Sequence, residues 1–158
     1  MIAHLNIGSN LGDRAAHINA AIDLLGSTAG RVIAVSSPWH SGPWGYDSPN
    51  MFMNVGVNID TDLSPTALLD TVKTAERTID PDGHHRTAEG GYADRAIDID
   101  IIAMGDQIRR SPDPQLPHPR MHLRPFVLGP MAQILPQWRH PLLGGISPAK
   151  LLAAMYNN

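Results

Sequence analysis

The sequence contains no cysteine, which excludes disulfides, thiolate-bound zinc and a cysteine nucleophile. Lysine is nearly as scarce, because only Lys73 and Lys150 accompany arginine among the 12 basic residues. The planar arginine fork suits bidentate binding of carboxylate or phosphate, and a genomic preference for arginine codons would produce the same skew. No strong charge imbalance is present: a net charge of −3 argues against a general binder of nucleic acid or of anionic membranes. No apolar run reaches the length of a membrane span. The apolar N-terminal stretch stops at Ile7 without a basic segment before it, so no secretory signal is expected and a soluble, cytoplasmic protein is. Long charge runs, repeats and low-complexity segments are also missing. With 42% hydrophobic residues over 158 positions, the expectation is one folded domain spanning 1–158 with a real core.

Ala96-Ile97-Asp98-Ile99-Asp100-Ile101-Ile102 is the most informative stretch present. Its period of two predicts a half-buried strand, with the isoleucines inward and Asp98 and Asp100 together on the other face. Next-but-one residues of a strand lie roughly 6.5–7 Å apart, so the two carboxylates repel unless a cation offsets them. Hard cations such as Mg²⁺ are held by one or two carboxylates together with substrate phosphates. Arg86, Arg95, Arg120 and Arg124 are near in sequence, and guanidinium forks beside metal-binding carboxylates suggest phosphoryl transfer from a nucleotide. An Asp-x-Asp pair also occurs on solvated strand faces that hold no metal.

Taken in order, Ile2 to Ile7 reads as a strand that closes on the turn Gly8-Ser9-Asn10-Leu11-Gly12. Asp13 suits a helix cap, and Ile18, Ala21, Ile22 and Leu25 form a helical stripe that stops at Gly26. Arg31 to Ser37 reads as a second strand. Ser41 to Asn50 reads as a loop whose Trp44 and Tyr46 either plug the domain edge or cover a flat ligand. Met51 to Asp60 alternates again, with Met53, Val55, Val57 and Ile59 on one side and Phe52, Asn54, Gly56 and Asn58 on the other. The second set describes a solvated strand face, although Asn54 beside a ring also fits the edge of a ligand. Ser64-Pro65 starts a helix with Leu68, Val72, Ala75 and Ile79 inward and Glu76 flanking them, half-buried.

A long loop over 80–94 follows, of the kind that forms lids and binding loops. Its His84-His85 pair reads either as solvated or as a metal ligand. Beyond the aspartate strand, proline on both sides of His118 restricts the backbone that carries it. Arg124-Pro125 opens a helix with Val127, Leu128, Met131 and Leu135 inward and a bend at Pro130, and Ser147-Pro148 caps a last one. The element order predicts an α+β fold, a ferredoxin-like β-α-β-β-α-β core with additional C-terminal helices.

These residues resemble the 6-hydroxymethyl-7,8-dihydropterin pyrophosphokinase family of folate synthesis. The resemblance rests on Ile7-Gly8-Ser9-Asn10-Leu11-Gly12, Phe52-x-Asn54, Arg95-Ala96-Ile97-Asp98-Ile99-Asp100-Ile101, Pro117-His118-Pro119-Arg120 and Arg124-Pro125-Phe126-Val127-Leu128. It implies that ATP gives its β,γ-diphosphate to the pterin hydroxymethyl group and AMP is released. It implies Asp98 and Asp100 as ligands of two Mg²⁺ ions, with Arg95 and Arg86 as catalytic phosphate contacts. Lys73, Glu76, Tyr92, Ile101, His118 and Arg124 join these in binding ATP. Gly8, Ser9, Asn10, Ser41, Gly42 and Trp44 would complete a pterin pocket in which Phe52 and Phe126 stack on the rings and Asn54 reads the hydrogen-bonding edge. Small-molecule partners only, and a monomer, are expected. No general base is conspicuous, which suits a reaction driven by positioning and electrostatics.

The chain departs from the family pattern at Gly83-His84-His85-Arg86, where two phosphate-binding arginines are usual, and near Asp113 and Gln115, where another is expected. Histidine is a pH-dependent substitute for arginine. The departures motivate two alternatives, a non-catalytic pterin- or nucleotide-binding paralogue and a diphosphotransferase acting on another alcohol. A metal hydrolase built on His84, His85 and His118 lacks the helical His-x-x-x-His spacing.

Overall fold

The structure, a computed structural model, describes residues 1–42, 51–82 and 94–156. The expectations placed on Trp44, Tyr46, His84, His85, Arg86 and Tyr92 lie outside the described residues. Along the chain come β1 (Ile2–Ser9), α1 (Arg14–Thr28), β2 (Arg31–Val35), β3 (Trp39–Ser41), β4 (Phe52–Asp60), α2 (Pro65–Ile79), β5 (Asp98–Met104), α3 (Pro125–Ile134) and α4 (Pro148–Ala154). The strands form one antiparallel sheet in the order β2-β4-β1-β5, with β3 pairing to β4 beyond the end of β2. This is the α+β, ferredoxin-like arrangement expected, with β3 added and helices following. Among the described residues, no helix is long and apolar enough to cross a membrane.

All three expected helix caps form. Asp13 accepts from the Ala16 amide at 3.0 Å, and Ser64 and Ser147 accept from the amides of Ala67 and Lys150 at 3.2 Å. Each satisfies a first-turn donor that has no partner within its helix. Gly26 does not end α1, contrary to expectation. A glycine in the last turn costs about 1 kcal/mol relative to alanine, which the packing of α1 on the sheet overrides. Gly30 is where the path turns, because a side chain there would collide with the Asp60 carbonyl.

Two cores flank the sheet. Leu5, Ile7, Val57, Ile59, Ile99 and Ile101 meet Ile18, Ala21, Leu25, Leu68 and Val72 of α1 and α2. On the opposite face Ile102 and Ala103 pack with Met121, Val127, Leu128, Met131 and Trp138. The polar side of β4 is therefore not solvated, as its pattern alone suggested. Asn54 and Asn58 are each 3% exposed, since α3 crosses this face. Asn58 donates to the Ile134 carbonyl at 2.9 Å and pairs with His4 Nδ1 at 2.8 Å, so the end of α3 is tied to two strands. Pro130 sits inside α3, which continues to Ile134.

Candidate active site

The register of β1 organises the site. Gly8 lies opposite Asn54 of β4 on one side and opposite Asp98 of β5 on the other. Adjacent strands are about 4.8 Å apart, so Asn54 and Asp98 stand on either side of a single residue with no side chain. A Cβ at Gly8 would come 2.9 Å from Asn54 Oδ1 and 3.5 Å from Phe52 Cδ1. Glycine thus leaves the position between the neutral amide and the carboxylate free of a side chain.

On the carboxylate side, an open cleft of ≈ 450 Å³ is lined by Lys73, Arg95, Asp98, Asp100, Ile101, His118 and Arg124, all singled out in the sequence. Arg120, Asp113 and Gln115 line it too. Arg95 Nη1 is 2.7 Å from Asp98 Oδ1, and Arg124 Nη1 is 3.7 Å from Asp100 Oδ2. Burial and then the neighbouring Asp100 nevertheless push the Asp98 carboxyl up to about 6, against the pull of Arg95, Arg124 and Lys73. Burial raises Asp100 as well, offset first by Arg124 and reinforced by Glu76. Two guanidinium groups do not neutralise this pair.

Glu76 is more deeply placed than expected, at 4% exposed. Its Oε2 accepts from the Ile99 amide at 2.9 Å, between the two aspartates, while Oε1 lies 3.8 Å from Lys73 Nζ. It therefore braces the edge strand that carries both aspartates. His118 is held by its own backbone, with its amide on the Ile102 carbonyl at 2.8 Å and its Nδ1 accepting from the Arg120 amide at 3.1 Å. That bond assigns the ring proton to Nε2. Burial, then Arg124 and Arg120, lower the imidazole to about 4, so it is neutral at pH 7.

Asn54 dominates the other side. Its Nδ2 donates to Ser41 Oγ at 3.0 Å and to the Trp39 carbonyl at 3.4 Å, and its Oδ1 accepts from Asn6 Nδ2 at 3.4 Å. Phe52 pairs with Ser41 across β3 and β4, and Phe126 lies in the first turn of α3 with the Arg124 guanidinium 5.8 Å from its ring centre. Both rings are half-buried. Gly42 follows β3 with open space around it.

Two expected pocket residues turn elsewhere. Ser9 is fully buried, with Oγ 3.5 Å from the Leu11 carbonyl. Asn10 Oδ1 accepts from the Arg95 amide at 2.7 Å, its Nδ2 donates to Asp94 at 2.8 Å, and its own amide donates to the Arg95 carbonyl at 3.0 Å. It fastens the chain just before the aspartates. Asn6 and Trp39 escaped the sequence reading, because their importance comes from strand register and leaves no local signal.

The donor set fits magnesium. Among the described residues no three His, Cys, Asp or Glu side chains stand so that they could hold one metal ion together, which is unlike a zinc site. Two half-buried carboxylates beside guanidinium groups suit Mg²⁺ held together with a polyphosphate.

The family model for 7,8-dihydro-6-hydroxymethylpterin-pyrophosphokinase matches residues 4–136. The 2-amino-4-hydroxy-6-hydroxymethyldihydropteridine pyrophosphokinase of Porphyromonas gingivalis is 38% identical over 89% of this chain and 94% of its own length. The enzyme of that name from Methylorubrum extorquens is 35% identical over 97% of this chain and 92% of its own. An HPPK-DHPS crystal structure from Plasmodium falciparum superposes with a TM-score of 0.76 at 14% identity, covering 98% of this chain and 44% of that one. That likeness concerns the fold alone, and this chain spans less than half of the Plasmodium protein.

Proposed function

Because the chain belongs to the 7,8-dihydro-6-hydroxymethylpterin-pyrophosphokinase family, we propose that it moves the β,γ-diphosphate of ATP to the hydroxymethyl oxygen of 6-hydroxymethyl-7,8-dihydropterin. The alcohol oxygen forms a bond to the β-phosphorus, the bond from that phosphorus to the oxygen bridging to the α-phosphate breaks, AMP leaves and the hydroxyl proton is released. The product serves folate synthesis. The observation that carries this reading is Gly8, in register with Asn54 on one strand and Asp98 on the next. A pterin edge read by Asn54 then has its hydroxymethyl arm directed past Gly8 toward the phosphate cleft.

Asp98 and Asp100 are the residues that would hold Mg²⁺, two ions in this reading, which neutralise and align the polyphosphate when bound. Arg95 and Arg124 supply forks for phosphate oxygens, and neutral His118 donates from Nε2. Lys73 adds a point charge at the cleft wall, and Ile101 an apolar contact. Phe52 and Phe126 stack on the pterin, each ring adding about 0.5–1.5 kcal/mol beyond buried area. Gly8, Ser41 and Gly42 belong to the same pocket, which Ser9 and Asn10 support from behind, and Trp44 is proposed as a further pterin contact. Arg86 and Tyr92 are proposed as further ATP contacts. The reading is of one domain over 1–158, acting as a cytoplasmic monomer on small molecules.

Incubation with Mg-ATP and the hydroxymethyl dihydropterin, followed by nucleotide chromatography, tests the proposal. AMP accumulates in step with pterin diphosphate if it is right. ADP or inorganic phosphate in place of AMP overturns it, and so does pterin binding without turnover, which a non-catalytic paralogue would give. Asp113 and Gln115 on the cleft wall, where the family usually adds an arginine, favour weak ATP binding over loss of the reaction.

A further inference from the structure

Trp39 joins the two walls of the proposed pterin slot. On the sheet side it is the register partner of Asn54 and accepts from Asn54 Nδ2 through its carbonyl at 3.4 Å. On the helix side its indole lies against Gly129 of α3. A Cβ at Gly129 would come 2.5 Å from Trp39 Cε3 and 2.8 Å from Cη2, with Cζ3 nearer still. Real side chains do not approach that closely, so this helical position accepts only glycine while tryptophan stands at 39. Gly129 follows Phe126 by three positions and shares its side of the helix.

Two neighbouring contacts fix the same seating. Gln133, one turn further along α3, accepts from the Ser37 amide at 2.9 Å and donates to Ser37 Oγ at 3.0 Å. Gly56 of β4 admits Pro130 so closely that a Cβ there would lie 3.0 Å from Pro130 Cβ. The height of α3 above the sheet, and hence of Phe126 above Phe52 and Asn54, is therefore set by glycine-filled contacts at 56 and 129 and by the thickness of one indole.

We propose that the Trp39–Gly129 contact is a specificity-determining spacer that fixes the width of the slot for a flat bicyclic heterocycle and bears far less on the phosphate cleft. The inference rests on the pterin reading above. Trp39 is a positioning residue, since it acts through Asn54 and through the helix that carries Phe126.

The test measures two equilibrium affinities by calorimetry, one for 6-hydroxymethyl-7,8-dihydropterin and one for a nonhydrolysable Mg-ATP analogue. Wild-type protein that binds no dihydropterin, either alone or with the Mg-ATP analogue present, removes the proposed function itself, before any variant is made. With that binding in hand, Gly129→Ala is expected to weaken the dihydropterin at least tenfold and the nucleotide by less than twofold. Trp39→Leu in the Gly129→Ala background deletes the colliding ring atoms and is expected to recover most of the loss. Unchanged dihydropterin affinity in Gly129→Ala, equal weakening of both ligands, or no recovery in the double variant overturns the proposal. If Gly129→Ala does not fold, Trp39→Leu alone is read in the same way: selective weakening of the dihydropterin supports the spacer, and unselective or absent weakening overturns it.

Discussion

Leu5, Ile7, Val57 and Ile59 face α1 and α2, while their chain neighbours His4, Asn6, Gly8, Asn54 and Asn58 form the opposite face of the same strands. Both faces are buried under helices, yet they are held by different physics. The first needs only volume and apolar area. The second buries amides and an imidazole, each of which needs a partner. His4, Asn58 and the Ile134 carbonyl make one chain of such bonds, and Asn6, Asn54 and Ser41 make another. Asn6 Oδ1 and His4 Nε2 have no partner among the described residues, so the polar face gives up stability that the apolar face does not. A fold that keeps the proposed binding floor on a buried sheet accepts that cost.

The sharpest way to separate the faces is to substitute each and read both activity and stability. Asp98→Asn and Asp100→Asn are expected to lower kcat on the order of a hundredfold to a thousandfold. Asp98 is raised to about 6 in the folded protein, so its ionisation above that pH opposes folding and stability falls as pH rises through the window from the unfolded value of 3.8. The metal-free thermal midpoint of Asp98→Asn at pH 7 is therefore expected to equal or exceed that of wild type. A variant that loses activity because it unfolds would erase the contrast.

Leu5→Ala probes the other face. Removing this fully buried side chain is expected to cost about 2–5 kcal/mol in denaturant unfolding, with kcat of the folded fraction close to wild type. Loss of kcat beyond the loss of folded protein would show that the apolar core tunes the chemistry directly.

His4 offers a test of the polar face that avoids the site. Its ring titrates at about 4 because burial outweighs the bond to Asn58. The unfolded chain takes up the proton near 6.5, so stability is full above that pH and is lost as pH falls toward 4, on the order of 3 kcal/mol in total. His118, lowered to a similar value, acts with the same sign. The difference between wild type and His4→Gln, followed by denaturant unfolding between pH 7 and pH 5, isolates His4, and the variant is expected to show the shallower dependence. Smallest of all, Ser64→Ala removes a cap far from either face and is expected to cost about 1 kcal/mol without altering kcat.

Much of this organisation was legible in the residues, and the reasons differ from place to place. Alternation in 97–101 and 53–59 separated inward isoleucine and valine from outward polar groups because successive strand side chains point to opposite faces. Asp13, Ser64 and Ser147 announced helix starts because capping is local. Gly26 misled because its cost is small beside the packing of α1. β3 went unseen because three residues cannot display a period, and its existence depends on the edge of β4. The polar side of β4 looked solvated because nothing local says that a helix starting 65 residues beyond the strand's end will lie across it.

By itself, the order of residues determined the strand faces, the helix caps and the paired carboxylates of β5, which depend on neighbours within a few positions, and the family to which the chain belongs, which rests on motifs spread from Ile7 to Leu128. Only the tertiary structure decided that Gly8 stands between Asn54 and Asp98, that Asn10 fastens Arg95, that Glu76 braces the aspartate strand and that Trp39 rests on Gly129. Each of those relations joins residues from different elements. Their distances are set by how strands pair and helices settle, and no local propensity encodes that.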